Sequence, residues 1–438
     1  MSGELLSREW LETLASFEKL FLGFSGGLDS TVLLHIIAAA PHLKSKLQVV
    51  HVHHGLSPNA TGWQQHCLKI CELLNVPCHS FSIQLSDKRN LEESARSARY
   101  AVFANLLGEQ DALVLGHHGN DQAETLLLQL LRGAGVDGLA AMPPIKVFAK
   151  GSLLRPLLTH SRQTLEEYAA QFKLTWVEDE SNFNCNYSRN FIRHKVMPLL
   201  TEKWPGVVST LGRSAEHFQE ARDNLQSLAK FSGVEVEHNT LEISSLLNLN
   251  DAQLKNILRM WLKHNQVRMP PTVYFSRLIH EVILAREDAM PLLSWDNCEV
   301  RRYQNQLHLL IKANTTSGSI IWDDLSEPLN FGDYQISAQP SDSGILIPDS
   351  SECEVQTREG GERFVWHGQT KSLKKLLQAW KIPTWEREQI PLLYINGELA
   401  AIIGYAISDN FFANGDGALT FQMTLAKTNK TSITNVRT

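Results

Sequence analysis

The sequence predicts an α/β fold: a doubly wound, mostly parallel sheet, then an α-rich middle domain and a small α/β C-terminal domain. Three observations carry this. Over the first two hundred residues, short apolar runs alternate with helical stretches, the pattern of strands joined by crossover helices. Beyond about residue 215 the alternation gives way to amphipathic helices and a hairpin. The 438-residue chain is also long enough for two or three cores. The expected domains are 1–215, 216–315 and 352–430.

Strands are expected at 20–24, 47–52, 78–83 and 112–115, each preceding a helical stretch, at 30–40, 63–74, 91–107 and 121–132. In such sheets ligands sit at the carboxyl ends of the strands, near the reversal of strand order. The loops at 25–30, 53–56 and 116–120 all follow strands and are expected to converge there. Farther along, 251–264 places Leu254, Ile257, Leu258, Trp261 and Leu262 on one helical face. Pro270 and Pro271 interrupt it, and 273–285 resumes as a second helix. Residues 299–303 and 307–311 are expected to pair as a hairpin. The Ser-, Asp- and Pro-rich stretch 338–351 is expected to be a connection or surface loop, and 354–365, 373–380 and 392–407 to build the last domain.

Composition excludes several classes. A hydrophobic content of 43% and a charged content of 20% are those of a soluble globular chain. The N-terminus shows no basic segment followed by an apolar one, and no apolar run is long enough to span a bilayer, so a cytoplasmic location is expected. Six scattered cysteines form no Cys-x-x-Cys pair, which argues against a zinc ribbon, a sulfur-transfer dithiol or a disulfide framework. The net charge of −6 gives no sign of wholesale nucleic-acid binding, although residues 185–230 hold seven Lys/Arg against four Asp/Glu.

The densest chemical signal is Ser25-Gly26-Gly27-Leu28-Asp29-Ser30, between an apolar strand and the start of an apolar helix. A strand, a glycine turn and a helix N-terminus together offer free N–H groups and a positive dipole end to an anion. Two glycines let the backbone approach, and the serines add donors. The segment lacks GxxxxGK[ST], so no P-loop lysine is available. A second constellation is Gly116-His117-His118-Gly119-Asn120-Asp121-Gln122-Ala123-Glu124-Thr125. Asp121 and Glu124, three residues apart, can face one way from a first helical turn. The same spacing is a capping box, with Asn120 itself a good cap; alternatively a ligand with amino groups, or magnesium on a nucleotide, would satisfy the carboxylates. Arg96 and Arg99 form a third element, able to meet carboxylates or phosphates, or else to lie on an exposed helix with Glu92 paired to Arg96.

The glycine turn resembles the PP-loop of the ATP pyrophosphatases, which adenylate a substrate and release pyrophosphate. With Ala95-Arg96-Ser97-Ala98-Arg99-Tyr100, the His-His-Gly-Asn-Asp-Gln-Ala-Glu run, Glu178-Asp179-Glu180-Ser181-Asn182 and Arg189-Asn190-Phe191-Ile192-Arg193 in that order, the chain resembles the tRNA(Ile)-lysidine synthetase family. Arg155-Pro156-Leu157, Arg358-Glu359-Gly360-Gly361 and the segments at 371–378 and 382–387 extend the resemblance over nearly the whole chain, weakest from about 215 to 350. Ala134 stands where many relatives would carry a hydroxyl.

That resemblance implies a two-step reaction. ATP adenylates O2 of the wobble cytidine in a CAU anticodon, and the ε-amine of L-lysine then attacks C2 and expels AMP. ATP would be held by Ser25, Gly26, Gly27, Leu28, Asp29 and Ser30, with no metal beyond the magnesium that ATP carries. Asp121 and Glu124 would anchor lysine's amino groups and Arg96 its carboxylate, with Asp29, His117 and His118 as catalytic residues. Either histidine, or water, would accept the amine's proton. Arg189 and Arg193 would grip the anticodon loop, and Lys371, Lys374, Lys375 and Arg387, with Trp380 and Trp385, would meet the tRNA stem or stack on bases, against core packing for the tryptophans. A homodimer is left open. The rivals are a PP-loop thiolase, which would want paired cysteines, an amide-forming synthetase, which would want a glutaminase section, and a non-catalytic RNA-binding protein.

Overall fold

The computed structural model describes residues 5–53, 55, 59–83, 91–236, 238–286, 289–311, 318–348, 350–414 and 420–427. Residues 54 and 56 of the expected 53–56 loop, the Glu92 side chain and residues 428–430 lie outside the described residues. The chain forms two compact units, Met1–Leu228 and Ala229–Thr434. The boundary expected at 215 falls inside a helix, Val207–Phe231.

In the first unit the order is α1 (Arg8–Ala15), β1 (Leu20–Gly23), α2 (Leu28–Ala39), α3 (Pro41–Lys44), β2 (Leu47–His53), α4 (Ala60–Leu73), β3 (Cys78–Ser82), α5 (Leu91–Leu106), β4 (Ala112–Val114) and α6 (Gly119–Leu131). Then come α7 (Val136–Leu139), the hairpin β5 (Ile145–Phe148) and β6 (Gly151–Leu154), and α8 (Arg162–Gln171). The sheet order is β3-β2-β1-β4-β6-β5, parallel throughout except for the antiparallel β5–β6 pair. Strand order reverses between β1 and β4, so the turn after β1 and the loop after β4 are neighbours at the switch point.

Side-chain alternation divides the strands between two cores. Leu20, Leu22, Val49, Ala112 and Val114 pack with Val32, Leu33 and Ile37 of α2 on one face. Phe21, Val50 and Leu113 pack with Tyr100 and Phe103 of α5 on the other. Each fully buried Val, Leu, Ile or Phe among them stabilises the fold by about 1.5–3 kcal/mol. With both faces covered, the strand ends are rigid mounts for the loops that follow them.

The second unit begins with helices on a four-stranded antiparallel sheet. Asp251–His264 is capped by Asn250 and buries the five apolar residues expected of it. Residues Thr272–Arg277 are α-helical, then Leu278–Ile283 widens into a π turn that buries both Leu278–Ile279 and Val282–Ile283. The expected hairpin forms, Cys298–Tyr303 with Gln306–Ile311.

The stretch 338–351 is not a connection. Tyr334–Ser341 and Ser343–Leu346 are strands, both paired with Thr420–Lys427 in a five-stranded sheet. The physical reason is one-sided burial: Tyr334, Ile336 and Ile345 face the core, and the Ser, Gln and Asp residues that resemble a loop face solvent. A second antiparallel sheet carries Cys353–Gln356, Leu392–Ile395 and Glu398–Ile402, and the helix Leu373–Ala379 buries Leu373, Leu376 and Leu377 beside it.

Candidate active site

The turn after β1 is built for close approach. Gly26 adopts φ +83°, and a side chain there would also meet Cys67 Sγ at 2.8 Å and Val177 at 3.0 Å. Ser25 Oγ lies 3.1 Å from Ser30 Oγ and accepts from the Gly27 N–H at 3.3 Å. Thr31 Oγ1 donates to Gly27 O at 2.9 Å, and the Val177 N–H donates to Gly26 O at 2.9 Å, fixing the turn from both sides. Gly27 is the N-cap of α2, and no side chain caps that helix. Its first turn, Leu28, Asp29 and Ser30, lines a cavity of about 590 Å³. An uncapped N-terminus facing a cavity offers its free N–H groups to an anion.

The loop after β4 touches this turn. A Cβ on Gly116 would lie 2.9 Å from the Asp29 carbonyl oxygen and 3.1 Å from the Ser30 nitrogen, so only glycine permits the contact. The helix that follows is capped by its own residues: the Asn120 N–H donates to His118 Nδ1 at 3.2 Å, and the His118 N–H donates to Asp121 Oδ2 at 3.1 Å. The cap is therefore His118, and Asn120 Oδ1 instead accepts from the Arg162 N–H at 3.0 Å.

Asp121 and Glu124 are both buried and do face one way, but two arginines already meet them. Arg189 reaches Asp121 at 2.9 Å and Glu124 at 3.1 Å. Arg193 reaches Asp121 at 2.9 Å and both Glu124 oxygens at 2.7 and 2.9 Å. Two forks on two carboxylates make a quartet of charged groups joined by five charge-assisted bonds. Burial alone would raise the Asp121 pKa, but His118 and the arginines outweigh it and hold that carboxyl well below the usual range. The segment carrying the arginines turns from α-helix (Ser188–Phe191) to a π turn (Ile192–Val196). That wider turn puts Ile192 and Met197, five residues apart, together against Ala123 of α6. Arg189 and Arg193 thus point into the cavity rather than out toward a partner.

The two histidines differ. Burial, with Arg155 and Arg189 nearby, pushes His117 down to about 3, so it is neutral, and the Arg155 Nε–H donates to its Nδ1 at 3.2 Å. That bond leaves the proton on Nε2. His118 is buried, which opposes its charged form, but Asp121, Asp29 and Glu124 outweigh this and raise its pKa. Its Nε2 stands 3.5 Å from Asp29 Oδ1 and from Asp121 Oδ2. Asp29 Oδ1 is buried with no hydrogen-bond partner among the described residues. Arg155, quoted in the sequence only as part of a motif, is the residue whose role sequence reasoning missed. Its position directly after β6 was the available signal.

From α5 the cavity wall takes Arg99 and Tyr100, while the Arg96 guanidinium lies 5.0 Å over the Tyr100 ring. In the second unit Lys374 and Lys375 are exposed on their helix, Lys371 is half-buried on a strand, and Arg387 Nε donates to Ile382 O at 2.7 Å. Trp385 packs against Tyr303 and His308, and Trp380 packs on the core beneath its helix and against Trp366 as well as stacking on the exposed Tyr405 at 6.1 Å, so both follow the core reading.

A glycine turn that leaves a helix end open at the reversal of a parallel sheet fits the PP-loop class, and residues 5–200 match the model of the PP-loop domain. Residues 241–308 match the TilS substrate binding domain and 353–422 the TilS substrate C-terminal domain. The tRNA(Ile)-lysidine synthase of Legionella pneumophila (strain Paris) is 48% identical over 418 residues, 94% of this chain and 97% of that protein. That of Coxiella burnetii is 39% identical over 93% of each. The chain belongs to the tRNA(Ile)-lysidine synthase family. Among solved structures, a U34-tRNA thiolase NcsA from Methanococcus maripaludis with its [4Fe-4S] cluster is 18% identical, covering 50% of this chain and 76% of that one at a TM-score of 0.40. A TILS C-terminal domain is 26% identical, covering 22% of this chain and 86% of that one at a TM-score of 0.19. No helix of the described residues is long and apolar enough to cross a membrane.

Proposed function

We propose that this chain ligates L-lysine to C2 of the wobble cytidine in the CAU anticodon of tRNA(Ile), in the cytoplasm, through an adenylated cytidine, with release of pyrophosphate and AMP. The observation that carries this reading is that the open helix end and the charged quartet line one cavity. In the first step cytidine O2 bonds to the α-phosphorus of ATP and the bond to the β-phosphate oxygen breaks. The N–H groups at the start of α2 and the hydroxyls of Ser25 and Ser30 stabilise that departing charge. Asp29 has the unpartnered oxygen that magnesium on a nucleotide would use, and no cluster of three protein ligands exists among the described residues, so the ion would share Asp29 with phosphate oxygens. When bound, magnesium supplies charge neutralisation at the phosphates.

In the second step lysine Nε bonds to C2, and the C2–O2 bond breaks with O2 leaving on AMP. The quartet suits the zwitterionic end of lysine: its ammonium exchanges for guanidinium contacts on Asp121 and Glu124, and its carboxylate takes the freed forks of Arg189 and Arg193. Arg96, held over the ring of the wall residue Tyr100, would be a second partner for that carboxylate. With Nδ1 of each histidine accepting a hydrogen bond, both carry the proton on Nε2, which weighs against the role of base; His117 can donate it to a phosphate oxygen, while His118 turns it toward Asp29 and Asp121. The nucleophile's proton then leaves to water. The middle and C-terminal domains, with Lys371, Lys374, Lys375 and Arg387, bind the body of the tRNA, and a homodimer is compatible with this reading.

The test is incubation with ATP, magnesium, labelled lysine and tRNA(Ile) carrying CAU. Label should enter the RNA with stoichiometric AMP, and a chain that adenylates another acceptor while leaving the RNA unlabelled contradicts the assignment.

A further inference from the structure

With Arg189 and Arg193 engaged by carboxylates, something else at the cavity mouth must hold the RNA loop, and the neighbouring segment supplies it. Residues 181–191 hold three aromatic residues, four asparagines and no aliphatic residue. Phe183, Tyr187 and Phe191, spaced four apart, are 62%, 41% and 50% exposed. Exposing three rings within nine residues beside a cavity marks an interaction surface. Phe183 is stacked on the His194 ring (5.6 Å, 25°), and both residues line the cavity, so the surface begins at its rim. The His194 ring is itself tied to Asn182 O at 2.8 Å, and Ile192 and Met197 anchor the segment from behind.

We propose that Phe183, Tyr187 and Phe191 form a stacking surface for the unpaired bases that flank the reacting cytidine, an inference that rests on the function proposed above. The chemistry favours nucleobases over a protein face. The exposed rings offer stacking, and the exposed amides of Asn182 and Asn186 beside them offer base-edge hydrogen bonds, the combination that unpaired bases take. Beyond the paired Arg189 and Arg193, residues 184–203 hold Lys195 and Lys203 against Glu202, and Lys195 is exposed for a phosphate. The three rings accept any base, so they orient the loop and leave base identity to the cavity.

The experiment uses the full chain and an anticodon stem-loop RNA with 2-aminopurine next to the wobble cytidine. Wild type should quench the probe on binding. Phe183→Ala and Phe191→Ala should each weaken binding about 10-fold and lose the quench. The slope of log Kd against log salt should stay unchanged, because no phosphate contact is lost. Phe183→Tyr should restore affinity and quench, and Phe183→Leu should not. Wild-type affinity and quench in both alanine variants, or full rescue by leucine, overturns the stacking surface alone. Failure of the wild type to bind and modify the RNA overturns the proposed function and the stacking surface with it.

Discussion

Two helix N-termini meet at the switch point of the first unit, and they are finished in opposite ways. α2 begins at Gly27 with no side-chain cap, whereas α6 begins at His118 with a complete capping box. Both carry the partial positive charge of a helix start. At α6 the protein's own side chains satisfy it, and the carboxylates beyond are matched by arginines. At α2 nothing does. The difference suits the open end to an anion and the closed end to a charged scaffold able to exchange partners with a substrate, the division of labour proposed above.

The sharpest way to break this comparison is to close the open end. In Gly27→Asp the new Cβ meets nothing nearer than Ser25 Oγ at 3.4 Å, and the backbone is already in the extended cap conformation. Calorimetry should find the fold unharmed, with a gain of about 0.3 kcal/mol, while ATP affinity falls about 1000-fold as a carboxylate occupies the phosphate position. Retained ATP binding would place the nucleotide elsewhere.

Opening the closed end comes next. Glu124→Ala leaves two guanidinium groups half-paired and should cost about 3 kcal/mol in denaturant unfolding. Adding Arg193→Met should recover part of that loss, a coupling that independent sites would not show.

The third prediction concerns His117, neutral at about pKa 3 in the fold against 6.5 for an ordinary histidine. Below 6.5 the unfolded chain binds a proton that the folded chain refuses, so stability falls as pH drops from 6.5 toward 3. Between pH 7 and 5 wild type should lose about 2 kcal/mol more than His117→Gln in denaturant titrations. Parallel losses would show that His117 charges freely.

The smallest effect lies in the second unit, where Lys374 and Lys375 are exposed and unlike the fixed arginines of the cavity. Changing both to Glu should weaken tRNA binding by about 10-fold at low salt and flatten its salt dependence, with no change in protein stability. Unchanged affinity would assign the tRNA stem to another surface.

Much of this was legible in the sequence, because the signals were local. Alternation of strand and helix, the paired glycines at 26–27 and the Asp121–Glu124 spacing each report on a few adjacent residues. What was not legible depended on long-range partners. Nothing near Asp121 announces that Arg189 and Arg193, some seventy residues away, fold back onto it. Likewise, whether His117 is a base depends on Arg155, which a different strand delivers. The strands at 334–346 were hidden for another reason: a sheet with one wet face needs only Tyr334, Ile336 and Ile345 to be apolar, too few to outweigh the polar residues between them.

The central claim is that one cavity holds ATP, the cytidine and lysine while O2 passes from the base to the nucleotide. It is tested most directly by tRNA(Ile) whose wobble cytidine carries ¹⁸O at O2, incubated with ATP and lysine. The label is expected in the phosphate of AMP, one atom for each lysine incorporated. Unlabelled AMP, or ¹⁸O released to water, would contradict adenylation at O2 and with it the shared site.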